Sequence, residues 1–151
     1  MYAKRKKISI CDIPITSMIN FNGRSYFGTA DGKIIYELKQ KLVSHKGHDS
    51  LIRSFSHDGQ YTLYSGSDDF SIKAWDTHGE IKLIQTFGIL NNNKSYHRNI
   101  CVIDSGQALV STRGQFDNYQ IRVWSLQDQF ENIGCLEGHS SFIRAMVVIG
   151  K

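Results

Sequence analysis

The sequence predicts an all-β protein built from repeated four-stranded antiparallel sheets. Short runs of β-branched and aromatic residues alternate with turns rich in Gly, Asp, Asn and Ser, and no long window shows a clean helical period. A Gly47-His48 pair also recurs as Gly138-His139, 91 residues later, which is close to twice the roughly 40–45-residue period of a four-stranded repeat unit. We therefore expect repeated β units and almost no helix.

The clearest unit runs from Gly47 to about Phe87. Its four predicted strands are Leu51–Ser56, Tyr61–Gly66, Ser71–Asp76 and Ile81–Phe87. Asp58-Gly59 predicts a tight turn between the first two strands, because a hairpin turn needs positive φ and Gly adopts it without a Cβ clash.

The preceding unit has weaker markers. Its predicted strands are Thr16–Phe21, Ser25–Thr29, Lys33–Leu38 and Gln40–Ser44, with Asn22-Gly23 as the hairpin turn. Asp31 lies in the second turn and Tyr36 is expected near the position that Trp75 has in the next unit. No Gly-His pair precedes this unit.

The third unit is anchored by Trp124, 49 residues after Trp75. Its predicted strands are Ile100–Ile103, Ala108–Thr112, Gln120–Ser125 and Asn132–Leu136. We expect an enlarged turn over Arg113–Asn118, a long preceding loop over Gly88–Arg98, and one further strand at each end of the chain, Ile8–Cys11 and Phe142–Ile149.

The motifs of the complete unit point to a known family. They are Gly47-His48, Ser65-Gly66-Ser67-Asp68-Asp69 and Ile72-Lys73-Ala74-Trp75-Asp76. This pattern resembles the WD-repeat (WD40-type) family, whose members are β-propellers used mostly as protein-interaction platforms. The resemblance extends from about residue 14 to the end and is strongest over 47–76, moderate over 97–126 and weak over 14–44.

The resemblance implies a partial propeller. We expect a basic tail over residues 1–7, blades at about 14–46, 47–88 and 97–137, and the first strand of a further blade within 138–151. Closed propellers use about four to eight blades, so three cannot close a ring. We expect the chain to be a segment of a longer propeller; the alternative is assembly with another chain that supplies the missing strands.

In the family, four side chains hydrogen-bond to one another inside a blade. The matching residues in the second unit are His48, Ser65, Asp69 and Trp75, and a partial second set is Ser111 and Trp124. A Ser-His-Asp catalytic triad can occur in any chain order. The structural role is favoured, because a buried Trp N–H and His ring left without partners cost about 1–3 kcal/mol each. We expect no catalytic residue and no enzymatic activity; His97 and Asp117 are uncertain members of the second set.

The departures of the third unit suggest a binding surface. In this type of propeller, the loop before a blade and the turn between its second and third strands open on the same rim. Exposed aromatic residues and Arg are enriched at interfaces, although such loops can also be tolerated insertions. The candidate partner-binding rim consists of Asp68, Phe70, Tyr96, Arg113, Phe116 and Tyr119.

Composition excludes several classes of protein. Lys4–Lys7 supply the whole formal charge of +4, so a dedicated nucleic-acid surface is poorly supported. No apolar run reaches the roughly 18 residues of a membrane span. The three cysteines, Cys11, Cys101 and Cys135, lack metal or disulfide spacing, and we expect them to be buried and reduced. No phosphate-binding loop, metal site or cofactor site is predicted.

These observations favour a non-catalytic scaffold or adaptor that binds other proteins. The alternatives are a targeting or substrate-recruiting domain of a larger enzyme, such as a kinase or ubiquitin-ligase assembly, and a nucleic-acid or chromatin-associated module that uses the basic tail. No membrane association is expected. The reduced cysteines favour a cytoplasmic location, with the nucleus as the alternative.

Overall fold

The computed structural model describes residues 12–89, 96–103, 106–115, 118–127 and 129–147. These residues form twelve strands and no helix. The strands are β1 (Ile15–Phe21), β2 (Arg24–Thr29), β3 (Lys33–Leu38), β4 (Lys41–Lys46), β5 (Ile52–His57), β6 (Thr62–Ser67), β7 (Ile72–Asp76), β8 (Lys82–Phe87), β9 (Tyr96–Ile103), β10 (Ala108–Gln115), β11 (Asn118–Ser125) and β12 (Asn132–His139).

Three four-stranded antiparallel sheets confirm the predicted fold class. Their strand orders are β1-β2-β3-β4, β5-β6-β7-β8 and β9-β10-β11-β12, and we call them blades 1, 2 and 3. The predicted hairpin turns have the required backbone, with φ of 50° at Asn22, 71° at Gly23 and 82° at Gly59. Each blade therefore forms from consecutive strands joined by local turns.

The blades stack through two apolar cores. Between blades 1 and 2, Tyr26, Ile34 and Tyr36 pack with Leu63 and Trp75. A second core between blades 2 and 3 contains Tyr64, Ile72, Ala74, Ile100, Leu109 and Trp124. Each tryptophan thus faces the preceding blade, and burial of both sheet faces stabilises the stack.

The inner strands β1, β5 and β9 lie side by side. The Thr16 hydroxyl donates to the carbonyl of Ile52 at 2.6 Å, and the Val102 amide donates to the Ser56 hydroxyl at 2.9 Å. Gly66 allows β9 to approach, since a Cβ there would lie 2.9 Å from the carbonyl oxygen of His97. The innermost contacts between blades are therefore polar as well as apolar.

Tyr36 does not occupy the tryptophan position, so that prediction is wrong. Gly28 pairs with Ile34 as Gly66 pairs with Ile72, which aligns Tyr36 with Ala74 and Glu37 with Trp75. A shift of one residue turns a strand side chain to the other face of the sheet. Tyr36 consequently packs toward blade 2, and its hydroxyl accepts a hydrogen bond from the Ile81 amide at 3.1 Å.

Blade 3 has longer strands and shorter loops than predicted. Gly114 pairs with both Tyr96 and Tyr119, so the β ladder continues through most of the expected Arg113–Asn118 turn. The same pairing places residues 96–98 of the expected Gly88–Arg98 loop in β9. The backbone groups there are satisfied by neighbouring strands, which explains why the strands extend.

Of the two predicted flanking strands, one lies outside the described residues and the other does not form in the described part of its range. Ile8–Cys11 lies outside the described residues, and β12 runs through His139, so Gly138-His139 belongs to the outer strand of blade 3. Residues 142–147 have no regular secondary structure, against the prediction of a strand. A strand requires a hydrogen-bonded partner, and no described strand pairs with this segment.

The cysteines differ from the expectation of burial. Cys101 is half-buried, which raises the pKa of its thiol, whereas Cys135 is exposed on β12. The outer strand of a blade has water on one side, so burial was wrongly predicted for Cys135. Cys11 lies outside the described residues. In the part of the chain that the structure describes, no helix is long and apolar enough to cross a membrane.

Candidate functional site

The four predicted residues of blade 2 form one hydrogen-bond chain. The Trp75 indole donates to the Ser65 hydroxyl at 2.8 Å, and Ser65 donates to His48 Nε2 at 2.7 Å. His48 Nδ1 then donates to a carboxylate oxygen of Asp69 at 2.8 Å. β6 and β7 position Ser65 and Trp75, while the segment after β4 brings His48 against them.

Burial determines the charge of the histidine in this chain. It lowers the pKa of the His48 imidazole more than Asp69 raises it, so the neutral ring is favoured, with Nε2 accepting from Ser65. Burial also opposes ionisation of Asp69, but its hydrogen bonds from His48, Ser71 and the Asp49 amide hold the pKa of this carboxyl well below its usual range. The buried chain therefore contains an ionised carboxylate with several donors.

This geometry argues against a catalytic triad. The Ser65 hydroxyl already accepts from Trp75 and donates to His48, and both Ser65 and His48 are fully buried. A nucleophile must reach a substrate atom, and here the reacting oxygen is enclosed between blades 1 and 2. The sequence predicts a structural role for these four residues, and the enclosed hydroxyl is consistent with that role.

Blade 3 contains a second version of the chain. Trp124 donates to the Ser111 hydroxyl at 2.8 Å, and Ser111 lies 3.2 Å from His97 Nδ1. The other ring nitrogen of His97 lies 3.2 Å from the carbonyl of Gly88, which can only accept, so His97 carries its proton on Nε2. The structure thus brings in His97, which sequence reasoning left uncertain, while Asp117 lies outside the described residues.

His97 and His48 contact the serine of their blade from different elements. It belongs to β9 and pairs with Arg113, whereas His48 lies in the loop before β5. The second ring nitrogen of His97 contacts a backbone carbonyl, whereas that of His48 donates to a carboxylate. No short sequence motif could have revealed the contact with Gly88, because the partner is a main-chain atom.

Blade 1 is held by a different arrangement. By the strand register, Phe27 and Glu37 stand where blade 2 has Ser65 and Trp75. Arg24 instead lies over Tyr36 and Tyr26, with its guanidinium carbon 5.6 and 5.9 Å from the two ring centroids, and it donates to the Gly79 carbonyl at 2.7 Å. Sequence reasoning missed Arg24, since cation–π contacts have no local sequence signal.

The described rim residues have distinct roles. The Asp68 carboxylate is held by Arg53, whose Nε donates to its two oxygens at 3.0 and 3.1 Å. Phe70 is partly exposed and has a φ of 72°. Tyr119 is half-buried, with its ring in edge contact with Phe142 at 5.0 Å.

Three of the predicted rim residues lie partly or wholly outside the described part of the chain. Phe116 lies outside the described residues, as do the side chains of Tyr96 and Arg113. The structure places the backbone of Tyr96 at the start of β9 and that of Arg113 near the end of β10. The five candidates with a described backbone, Asp68, Phe70, Tyr96, Arg113 and Tyr119, therefore lie at neighbouring strand ends of blades 2 and 3.

A cleft of about 350 Å³ adjoins Asp68 at the ends of the inner strands. Its lining residues are Thr16, Arg53, Asn99, Phe142, Ile143 and Arg144. Sequence reasoning singled out neither Arg53 nor Arg144 as a site residue. The signal that could have found them is that they have equivalent positions in the repeat. In the described ranges, no group of three or more His, Cys, Asp or Glu side chains could hold a metal ion.

The comparisons with known proteins agree with this geometry. Residues 39–76 match the family model "WD domain, G-beta repeat". No curated protein matches the chain. The matched segment includes β5, β6 and β7 and all four residues of the blade 2 hydrogen-bond chain.

Solved structures share the fold at low sequence identity. The Cps50 (Swd1) β-propeller domain of Myceliophteria thermophila has 13% identity and a TM-score of 0.71 over 83% of this chain and 44% of its own. The computationally designed Ika4 protein has 20% identity and a TM-score of 0.78 over 99% of this chain and 89% of its own. The WD40 propeller domain of Doa1 has 21% identity and a TM-score of 0.65 over 85% and 41%.

The fold is that of a β-propeller built from four-stranded blades. Three blades of the described chain have this fold, and the segment that matches the WD-repeat model, residues 39–76, lies mainly in blade 2 with its hydrogen-bond chain. The chain spans less than half the length of the Cps50 and Doa1 chains. WD40 propellers are typically non-catalytic and generally bind other proteins.

Proposed function

We propose that the chain is a non-catalytic protein-interaction module, a scaffold or adaptor, whose partner binds the rim formed by the β6–β7 turn and the adjacent ends of β9, β10 and β11. Phe70 is the observation that carries this proposal. It lies directly after Asp69 with a φ of 72°, and the equivalent residue of blade 1, directly after Asp31, is Gly32 with a φ of 82°. Left-handed backbone costs a residue with a Cβ about 1–2 kcal/mol.

A glycine at position 70 would relieve that strain. The left-handed backbone at this position favours Gly, yet blade 2 has a large, partly exposed aromatic residue there. Strained residues cluster at binding and catalytic sites, and aromatic side chains are enriched among interface hot spots. Both tendencies support a binding role for Phe70.

Other described features of blades 2 and 3 support a protein ligand. Tyr119 and Phe142 form an aromatic pair, and the cleft lined by Arg53 provides a concave polar surface. A rim with aromatic residues around a polar cleft can bury apolar side chains of a partner while hydrogen-bonding its backbone. Ser65 and His48, the side chains that a Ser-His-Asp triad would need, are enclosed within the blades.

The test separates binding from stability with Phe70→Gly. We expect its unfolding free energy to stay within about 1 kcal/mol of wild type, because relief of strain offsets the added freedom of the unfolded chain. Partner binding should fall by about tenfold or more, as expected for loss of an aromatic hot spot. Partners are captured from an extract of the cells that express the protein, and each is then purified and titrated by calorimetry.

The matched control is Tyr61→Gly. Tyr61 is an exposed aromatic residue at the opposite rim of blade 2, in the β5–β6 turn. Tyr61→Gly should leave the affinity for the partner unchanged. If Phe70→Gly retains wild-type affinity for every captured partner, or if Tyr61→Gly weakens binding as much, the rim assignment is wrong.

A further inference from the structure

The β1–β2 turn contains the one Asn-Gly pair of the chain. Asn22 precedes Gly23, and none of the other asparagines is followed by a glycine. The backbone nitrogen of the residue after an asparagine can attack the side-chain carbonyl carbon, and glycine hinders this attack least because it has no Cβ. Asn22 is therefore the asparagine whose side chain is most open to loss of ammonia.

The turn leaves the attacking nitrogen accessible. Asn22 and Gly23 are exposed, and apart from the chain neighbours of Gly23, no described atom lies within 4 Å of the place that a Cβ on this glycine would take. The Gly23 amide donates to no described backbone carbonyl. The nucleophile is thus neither covered nor held by a neighbouring strand.

This exposure belongs to the rim and not to blade 1 alone. The equivalent turn of blade 2, which has a blade on each side, contains Gly59. It is also exposed, with the same open space around it and a φ of 82°. The turn between the first two strands therefore stays accessible in a blade that has two neighbours.

Asn22 also links two blades. Its Nδ2 donates to the carbonyl of Gln60, in the β5–β6 turn, at 2.5 Å. Beside this bond Phe21 stacks on the ring of His57, with the two centroids 4.4 Å apart. The β1–β2 turn therefore holds blade 1 to blade 2 at this rim, and the Asn22 amide is one of the groups that hold it.

We propose that Asn22 is a deamidation site and that its conversion weakens the junction between blades 1 and 2. The Gly23 amide nitrogen forms a bond to Asn22 Cγ, the Cγ–Nδ2 bond breaks, and ammonia leaves with the proton of the Gly23 amide. Water then opens the resulting succinimide, which leaves aspartate or isoaspartate at position 22. The site lies at the rim opposite Phe70, so the inference does not rest on the proposed function.

Either product loses the hydrogen bond to blade 2. An ionised carboxylate only accepts hydrogen bonds, so it cannot donate to the Gln60 carbonyl, and the two oxygens repel each other. Isoaspartate also adds a methylene to the main chain of a two-residue turn, in which Asn22 and Gly23 have φ of 50° and 71°. Deamidation therefore removes a contact between blades and disturbs the turn that supplies it.

Peptide mapping by mass spectrometry measures the reaction. The full chain is incubated at mildly alkaline pH, and the fraction converted to aspartate and isoaspartate is followed at each asparagine. Asn22 should convert many times faster than Asn20, which is also exposed and lies in the same hairpin but precedes Phe21. An Asn22 that reacts no faster than Asn20 would overturn the proposal.

Asn22→Asp reproduces the aspartate product, and Asn20→Asp is its matched control. Both add one negative charge at an exposed position, but only Asn22 is bonded to blade 2 in the described structure. Asn22→Asp should lower the urea midpoint of unfolding by about 0.3–1 M, as expected for loss of one hydrogen bond at usual denaturant slopes. Asn20→Asp should leave the midpoint unchanged, and equal midpoints of the two variants would contradict the role of Asn22 in the junction.

Ageing of the wild-type chain connects the two measurements. As Asn22 converts, the urea midpoint of the wild-type chain should fall toward that of Asn22→Asp, whereas Asn22→Asp should keep its own midpoint over the same time. A wild-type midpoint that stays constant while Asn22 converts would overturn the proposal.

Discussion

Replacing Ser65 by Ala should strongly destabilise the protein although it removes one atom. The Ser65 hydroxyl joins the Trp75 indole and His48 Nε2, at 2.8 and 2.7 Å, in a fully buried site. Ser65→Ala leaves a buried donor and a buried acceptor unsatisfied, and each costs about 1–3 kcal/mol. We therefore expect the free energy of unfolding to fall by about 2–6 kcal/mol.

Ser54→Ala is a control for this change in the same blade. The Ser54 hydroxyl is buried, and in the described structure it has no hydrogen-bond partner. Removing an unsatisfied buried hydroxyl should leave stability unchanged or raise it, because its desolvation penalty disappears. Urea unfolding of both variants, followed by far-ultraviolet circular dichroism, measures the difference. A Ser65→Ala loss below about 0.5 kcal/mol, or an equal loss in Ser54→Ala, would refute the reasoning.

Three further predictions use the same unfolding assay. Trp75→Ala should lower stability by about 3–5 kcal/mol, since it opens a cavity between blades 1 and 2; a stable variant would contradict the burial of this ring. Gly32 and Gly59 both have a φ of 82°, but only at Gly32 would a Cβ meet backbone, 2.1 Å from the carbonyl oxygen of residue 48. Gly59→Ala should therefore cost about 1–2 kcal/mol and Gly32→Ala clearly more, and equal losses would argue against this contact. Stability should also fall on acidification: the pKa of the buried imidazole lies below its ordinary 6.5, so its stabilising neutral form is lost as pH falls below about 6.5. The lowered pKa of Asp69 adds a second loss below its ordinary 3.8, and Asp69→Asn should remove that second loss. A pH-independent urea midpoint between pH 7 and about 3 would contradict both assignments.

Local patterns predicted most of the fold. Short runs of β-branched and aromatic residues and the Asn22-Gly23 and Asp58-Gly59 turns placed all four strands of blades 1 and 2 close to their observed bounds, because both signals act within a few residues. The extent of the strands in blade 3 was harder to predict. There, pairing of Gly114 with two strands extends the ladder through residues that resemble a loop in sequence.

The hydrogen-bond chain of blade 2 was predictable because all its members are side chains in one motif. The chain of blade 3 was only partly predictable, since His97 bonds to the main-chain carbonyl of Gly88 and any residue type could supply that atom. The placement of Tyr36 failed for another reason. Sequence cannot fix strand register to one residue when the turn leaves the spacing open, and one residue decides which face a side chain occupies.

Equivalence between blades also revealed what single motifs could not. The sequence placed Phe70 on the candidate rim, but only the coordinates show that it has the left-handed backbone that blade 1 gives to Gly32. This comparison depends on backbone conformation and on which residues share a place in the repeat.

Hydrogen exchange of the two indole N–H groups tests the central claim most directly. The chain contains two tryptophans, so its proton–nitrogen spectrum should show two indole signals, from Trp75 and Trp124. Each indole donates to a fully buried serine at 2.8 Å. We predict that both signals are well dispersed and exchange slowly in deuterated water, with Ser65→Ala and Ser111→Ala each accelerating the exchange of its own partner. Exchange of either indole at the rate of a free indole would show that its blade is not held by an internal hydrogen-bond chain.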